Sequence, residues 1–299
     1  MTDPDRPLVL TELPERTTEL LTHPTVDSPT VADLRDIAFR LRSTMMRMAA
    51  DKGEGYIAQG LGIADVLAVI YFRQLRFDPT DPDWVGRDRF LMSTGHYSIA
   101  LYAVLAELGI LTEDQIADYG LNGSELPMST FDQTPGVEIT GGSLGHGLGQ
   151  GVGMALGIRL DGGDQRIIVE LSDGELQEGA TWESAMSAAS FGLGGLTAVV
   201  DCNGIQADGP IVLDMEPIAD KWAAFGWAVQ EVDGNDIDAL VAGFDALSQA
   251  PADRPRVLIT RTTPGTGVPT LVTRERAHFV RVADNEWAGL IAELEENRG

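Results

Sequence analysis

One cysteine, Cys202, occurs in 299 residues. That excludes an intrachain disulfide and any CxxC metal or redox site. Basic residues are scarce too: 21 Lys+Arg stand against 46 Asp+Glu, a formal charge of −25. A chain this acidic lacks the electrostatic footprint of a nucleic-acid or anionic-membrane binder. No stretch reaches about 18 apolar residues without a charge, so no membrane span is expected. The four histidines, His23, His96, His146 and His278, fall in neither HxxxH nor HExxH spacing, which argues against a His-rich zinc site. The first 30 residues carry acids and prolines where a signal peptide would carry a basic region and an apolar run. No signal peptide is expected, and the expected compartment is the cytoplasm.

What is present has the balance of a folded chain, with 43% hydrophobic and 22% charged residues. Residues 1–30 read as an N-terminal arm and residues 31–299 as one domain, because no composition break divides the latter. Thr30 and Asp33 have capping-box spacing. Leu34, Ile37, Leu41, Met45 and Met48 then recur every three or four residues, one apolar helix face. The glycine-rich segment Lys52–Gly62 is expected to break that pattern. A second helix, apolar nearly all round, is expected over Ile63–Phe72 and a third over Tyr97–Leu108. Arg166–Leu171 and Leu196–Asp201 read as buried strands, with helix-forming Glu178–Ser190 between them, which suits a right-handed parallel crossover. A strand at Trp227–Val232, a helix at Ile237–Leu247, a strand at Arg256–Thr260 and a helix at Glu286–Glu296 follow. This alternation predicts an α/β fold with a doubly wound, mainly parallel sheet flanked by helices and ligands at the strand carboxyl ends.

The densest chemical signal is Leu171–Gly179, reading Leu-Ser-Asp-Gly-Glu-Leu-Gln-Glu-Gly, just past a strand and opening a helix. Gly174 permits close backbone approach, and the helix N-terminus beyond offers free N–H groups to an anion such as a diphosphate. Thirty residues later comes Asp201-Cys-Asn-Gly-Ile205, past the next strand. Neighbouring parallel strands would bring Asp173 and Asn203 to one hard cation, and oxygen-only ligation suits Mg²⁺. An isolated Asp-Gly is more often a turn; the pairing is what favours a site. The glycines of Gly141–Gly153 do not make a GxGxxG, so a dinucleotide reading has no direct support.

Asp173-Gly174, an interval of about 30 residues, then Asn203 resembles the thiamine diphosphate fingerprint. Its flanks resemble transketolase: Trp182–Ala189 after the Asp-Gly-Glu-Leu-Gln-Glu-Gly run, Arg87–His96 against "RDRFxLSxGH", and Thr134–Leu148 against "PGVExxTGSLGQGL". The resemblance covers roughly residues 32–298 and implies the thiamine diphosphate-binding fold of the diphosphate (PP) domain. Nothing resembles the pyrimidine domain, whose glutamate activates the cofactor in the family. It therefore implies the N-terminal subunit of a two-component transketolase, completed by a separate C-terminal subunit in an α2β2 assembly, with thiamine diphosphate and Mg²⁺ as cofactors. The implied reaction moves a two-carbon ketol unit from a ketose donor to an aldehyde acceptor, the cofactor serving as electron sink.

Carried over residue by residue, the resemblance places Asp173, Asn203 and the Ile205 carbonyl on Mg²⁺. It places the Gly174 N–H on the diphosphate. Gly142, Leu144, Glu175 and Glu178 fall in the cofactor-binding segments. Helix capping is the plainer reading of Glu178, and close helix packing of the glycines. His96 and His278 match histidines near the reaction centre, able to move protons or stabilise oxyanions. Two positions depart from the family. Tyr56 stands where a substrate-facing histidine is usual, and Ser129 (or Met128) replaces a second one. His146 stands for the usual glutamine of Gly-Gln-Gly. Tyr and Ser hydrogen-bond but carry no positive charge near neutrality. The expectation is ketol transfer with a non-standard substrate in specialised or unusual-sugar metabolism. The alternatives are an ordinary pentose-phosphate transketolase half, a subunit like 2-oxo acid dehydrogenase E1 or 1-deoxyxylulose 5-phosphate synthase, and a non-catalytic scaffold. The segments Ile63–Phe72 and Glu178–Ala189 are candidate contact surfaces, and cationic groups for anionic substrates are expected from the partner.

Overall fold

The computed structural model describes residues 29–207 and 209–298. The expected N-terminal arm lies outside the described residues except for Pro29 and Thr30. Thr30 caps the first helix, α1 (Val31–Lys52): its N–H donates to Asp33 Oδ2 at 2.9 Å and its Oγ1 accepts from the Asp33 N–H at 3.2 Å. Strand β1 (Glu54–Gly55) leads into α2 (Ile57–Val69), which runs on as a π-helical turn through Gln74. Then come β2 (Arg89–Met92), α3 (Ser98–Glu107), α4 (Glu113–Ala117) and α5 (Gly147–Leu160). The centre alternates β3 (Ile167–Ser172), α6 (Gly179–Ser190), β4 (Leu196–Cys202), the hairpin β5 (Ile205–Gln206) and β6 (Gly209–Pro210), α7 (Ile218–Ala224), β7 (Ala228–Asp233), α8 (Ile237–Ser248) and β8 (Arg256–Arg261). The chain closes with α9 (Pro269–Val272), β9 (Val280–Arg281) and α10 (Trp287–Glu296).

Alternate residues of the central strands face two separate cores, which is why these strands read as continuous apolar runs. Ile168, Val199 and Leu258 pack with α1, α2, α3 and α8 on one side. Ile167, Val169, Leu171, Ala198, Val200, Val257 and Ile259 pack with α5, α6 and α7 on the other. The five strands run in the order β2-β3-β4-β8-β7, every pair parallel. The doubly wound parallel sheet is thus as the alternation predicted, with strand ends shifted by a residue or two.

Two readings fail, and two elements, a helix and a strand, went unread. Helix α2 begins at Ile57, inside the segment expected to break it. Gly60 and Gly62 sit within that helix because neighbours leave no room: a Cβ on Gly60 would lie 2.9 Å from Met45 Sδ, and one on Gly62 3.0 Å from the Thr263 carbonyl. Every residue of α2 is buried, so Ile63–Phe72 is core rather than a contact surface. Helix α5 was hidden by its glycines; Gly151 lets it lie on the sheet, where a Cβ would meet Val169 at 2.6 Å. Strand β2 was hidden by the charges before it. Those charges are structural. The buried Asp88 carboxylate accepts from the backbone N–H of Arg76 (2.9 Å) and Arg166 (2.7 Å) and pairs with both guanidinium groups, tying β2 to the start of β3.

Candidate active site

Parallel strands deliver their carboxyl ends to one edge of the sheet. Here β2 delivers Ser93–His96, β3 delivers Asp173 and Gly174, β4 delivers Asn203–Ile205, and β8 delivers Thr262–Pro264. The loop after β2 turns at Gly95 (φ +57°), whose missing Cβ lets it meet the Gly141–Gly142 backbone; a Cβ would fall 2.2 Å from Gly142 N. The Gly142 N–H donates to the Ser93 carbonyl at 3.0 Å, so the two loops form one floor.

On that floor lies a cavity of about 410 Å³ lined by Tyr56, His96, Met128, Ser129, Gly142, Leu144, Gly174, Ile205 and His278. Tyr56 is the hub. Its ring meets His96 edge-on at 4.8 Å between centroids, His278 at 5.4 Å and Phe279 at 5.1 Å. His96 and His278 lie 5.2 Å apart. The far end of the chain reaches this place through antiparallel pairing of β1 with β9, Glu54 opposite Arg281 and Gly55 opposite Val280. Ser129 and Met128 both line the cavity, so either register of the altered position faces it.

Burial, then the nearby His278, lowers the His96 pKa to about 4, so its imidazole is neutral at physiological pH. Its Nδ1 lies against the Thr94 carbonyl, which leaves Nε2 as the acceptor facing outward. The folded pKa is below the unfolded value of about 6.5. Stability from His96 is therefore fully present above pH 6.5 and lost as pH falls toward 4. NMR titration of the imidazole should show a midpoint well below 6.5; a midpoint at or above it would contradict this environment.

Asp173 and Asn203 sit side by side. The Asp173 N–H donates to the Asp201 carbonyl (3.0 Å), and Asp173 Oδ2 accepts from the Gly204 N–H (2.8 Å). The Gly174 N–H, placed on a diphosphate by resemblance, donates here to Asp173 Oδ1 at 2.8 Å. Asn203 and Asp173 open on a neighbouring cavity of about 590 Å³, across the β5–β6 hairpin from the histidines. Burial raises the Asp173 carboxyl to about 6. Among the described residues no group of three or more His, Cys, Asp or Glu could hold a metal. A cation here would need oxygens beyond the protein's side chains.

Two positions assigned to the cofactor line neither cavity. Glu175 is fully buried beneath the glycine loop, accepting from the Gly145 N–H at 2.7 Å and from the Ser93 hydroxyl. Burial raises its carboxyl to about 7. Glu178 is exposed at the start of α6 and makes no side-chain cap, against the capping alternative. His146 is exposed, its Nδ1 near the Ser143 and Leu144 carbonyls.

Sequence reasoning missed three supporting residues. Asp201 Oδ2 accepts from Tyr97 OH (2.9 Å) and Asn203 Nδ2 (2.8 Å), which turns Asn203 Oδ1 the other way, toward the Ile205 N–H (3.1 Å). Its position two residues before Asn203 was the available signal. Gln59, buried in α2, contacts His278 Nδ1 through Nε2 at 2.8 Å. No signal pairs two residues 219 positions apart.

The family model "Transketolase, thiamine diphosphate binding domain" matches residues 35–295. A transketolase family protein of Sinorhizobium fredii is 54% identical over 261 residues, 86% of this chain and 94% of that one. The 6-deoxy-6-sulfo-D-fructose transketolase subunit of a Clostridium species is 35% identical over 267 residues, 88% of this chain and 97% of that one. The solved transketolase of Campylobacter jejuni superposes with a TM-score of 0.83 at 26% identity, covering 91% of this chain and 43% of that one. The fold at the strand ends and these matches agree that the chain belongs to the transketolase family, as a thiamine diphosphate-binding N-terminal domain.

Proposed function

We propose that this chain is the diphosphate- and Mg²⁺-binding subunit of a two-component transketolase, active in the cytoplasm with a pyrimidine-domain subunit in an α2β2 assembly. The observation that carries it is the arrangement at one sheet edge: Asp173 and Asn203 line one cavity, and their chain neighbours Gly174 and Ile205 line the next one with Tyr56, His96 and His278. The donor set fits: two neighbouring oxygen ligands suit Mg²⁺, and the burial that raises the Asp173 carboxyl favours a compensating cation. Bound thiamine diphosphate would supply the electron sink for cleavage of the ketose C–C bond. Asp173, Asn203 and the Ile205 carbonyl would hold its metal, with Gly142, Leu144 and Gly174 against it. Neutral His96 would accept and return a substrate hydroxyl proton at Nε2. His278, held by Gln59, would stabilise developing charge on substrate oxygen. Tyr56 and Ser129 would contact substrate hydroxyls. Glu178, with the exposed Met186 on the same helix, would face the partner.

Because Tyr56 and Ser129 are the altered positions and both line the cavity, the substrate reading is an unusual ketose. The similarity to a subunit named for a sulfonated fructose supports it. Steady-state kinetics of the assembled complex across a ketose panel tests this. Activity on xylulose 5-phosphate with ribose 5-phosphate is expected to fall about 100-fold below the best ketose. Equal activity would return the pentose-phosphate reading, pyruvate decarboxylation the 2-oxo acid one. Failure to bind thiamine diphosphate with Mg²⁺ and partner present would leave the scaffold.

A further inference from the structure

Next to the histidine cavity lies another, of about 560 Å³, lined by Ile205, Pro210, Thr263, Arg274, Arg276 and His278 among others. Ile205 and His278 belong to both walls. The two cavities therefore adjoin at His278. Arg274 is already committed: its guanidinium donates to the Arg281 carbonyl at 2.8 Å and lies 3.7 Å from Glu286. Arg276 is not. Exposed on the cavity wall, it has no ion pair or side-chain hydrogen bond among the described residues. Its backbone adopts φ +57°, a left-handed conformation that glycine takes freely and a long side chain rarely does. Such positions gather at ligand sites. Glu275 shares the wall, so the net field there is weak and recognition falls to the guanidinium's directed N–H groups.

On the reading of the chain as a transketolase subunit, we propose that Arg276 binds the terminal anionic group of the sugar substrate. The planar guanidinium offers paired N–H donors to a tetrahedral oxyanion, a geometry shared by phosphate monoesters and sulfonates. In a chain of charge −25, an anionic tail needs such a local cation, because the overall field repels it. This places one substrate-recognising charge on this subunit, where the sequence reading expected such charges mostly from the partner.

The test uses the assembled two-subunit enzyme loaded with thiamine diphosphate and Mg²⁺. Calorimetry compares glycerol 3-phosphate, 2,3-dihydroxypropane-1-sulfonate and glycerol, and the stronger anionic probe identifies the tail. Arg276→Gln and Arg276→Gly are expected to weaken that probe at least about 10-fold, with glycerol and thiamine diphosphate unchanged. Arg276→Lys should retain part of the affinity. Arg276→Gly also relaxes the left-handed backbone, so misfolding cannot account for a loss seen in both variants. In turnover, KM for D-glyceraldehyde 3-phosphate should rise by a similar factor while that for D-glyceraldehyde stays put. Unchanged anion affinity in both variants overturns the proposal, as does weakened subunit assembly with probe binding intact. If the wild-type complex transfers no ketol unit while Arg276-dependent anion binding persists, the transketolase reading fails and the anion site stands.

Discussion

Asp173→Ala is expected to weaken Mg²⁺-dependent thiamine diphosphate binding by at least about 100-fold, judged against the roughly 10–100-fold losses typical of residues that only support a metal ligand. The reason is the economy of the site. The other carboxylate beside Asn203, Asp201, is taken up by Tyr97, Asn203 Nδ2 and Thr262, and no cluster of three or more ionisable ligands stands behind Asp173 among the described residues. Burial holds its carboxyl up near 6; a divalent cation at about 2.0–2.1 Å reverses that preference, so metal affinity should also fall steeply below about pH 6. Asp173→Asn separates charge from shape. It keeps an oxygen for the Gly204 N–H, yet is expected to lose most of the metal affinity. Calorimetry with and without Mg²⁺ reads both variants. Full affinity in Asp173→Ala would remove the residue from the metal site.

His278→Ala is expected to lower kcat/KM of the assembled enzyme by about 100- to 10,000-fold, the range for a positioned acid–base or oxyanion-stabilising group. Its thiamine diphosphate affinity should stay within a few-fold of wild type. Gln59 makes the argument specific. Its amide contacts His278 Nδ1 at 2.8 Å from inside a wholly buried helix. As an Nε2–H donor it selects the imidazole tautomer that carries its proton on the cavity side. Gln59→Leu should therefore cut kcat by roughly 10-fold with thiamine diphosphate affinity unchanged, and Gln59→Asn should restore less than half of the loss. Ketose turnover within about threefold of wild type in His278→Ala would take the residue out of the reaction.

Legibility in the sequence followed the range over which each signal acts. The capping box at Thr30 and the crossover from β3 to β4 are local, and both were readable. So was the pairing of Asp173 with Asn203, because adjacent parallel strands convert a spacing of thirty residues into contact. Helix α5 and the start of α2 were missed because their glycines serve tight packing, a tertiary cause that reads locally as a breaker. Glu175 looked like a ligand by its neighbours in sequence, yet it turns inward to hold the Gly145 loop. Gln59 meets His278, 219 positions away, only where the chain returns beside β1 through β9.

That small pairing also orders events in time. The five-stranded sheet is complete at Arg261, the end of β8. The wall bearing Arg276, His278 and Phe279 arrives later, sewn to Glu54–Gly55 by two residue pairs, Glu54 with Arg281 and Gly55 with Val280. During synthesis the scaffold can therefore settle before the reaction chamber has its last side. A nascent chain halted soon after β8 should own every residue proposed for the metal, yet lack the wall that carries His278.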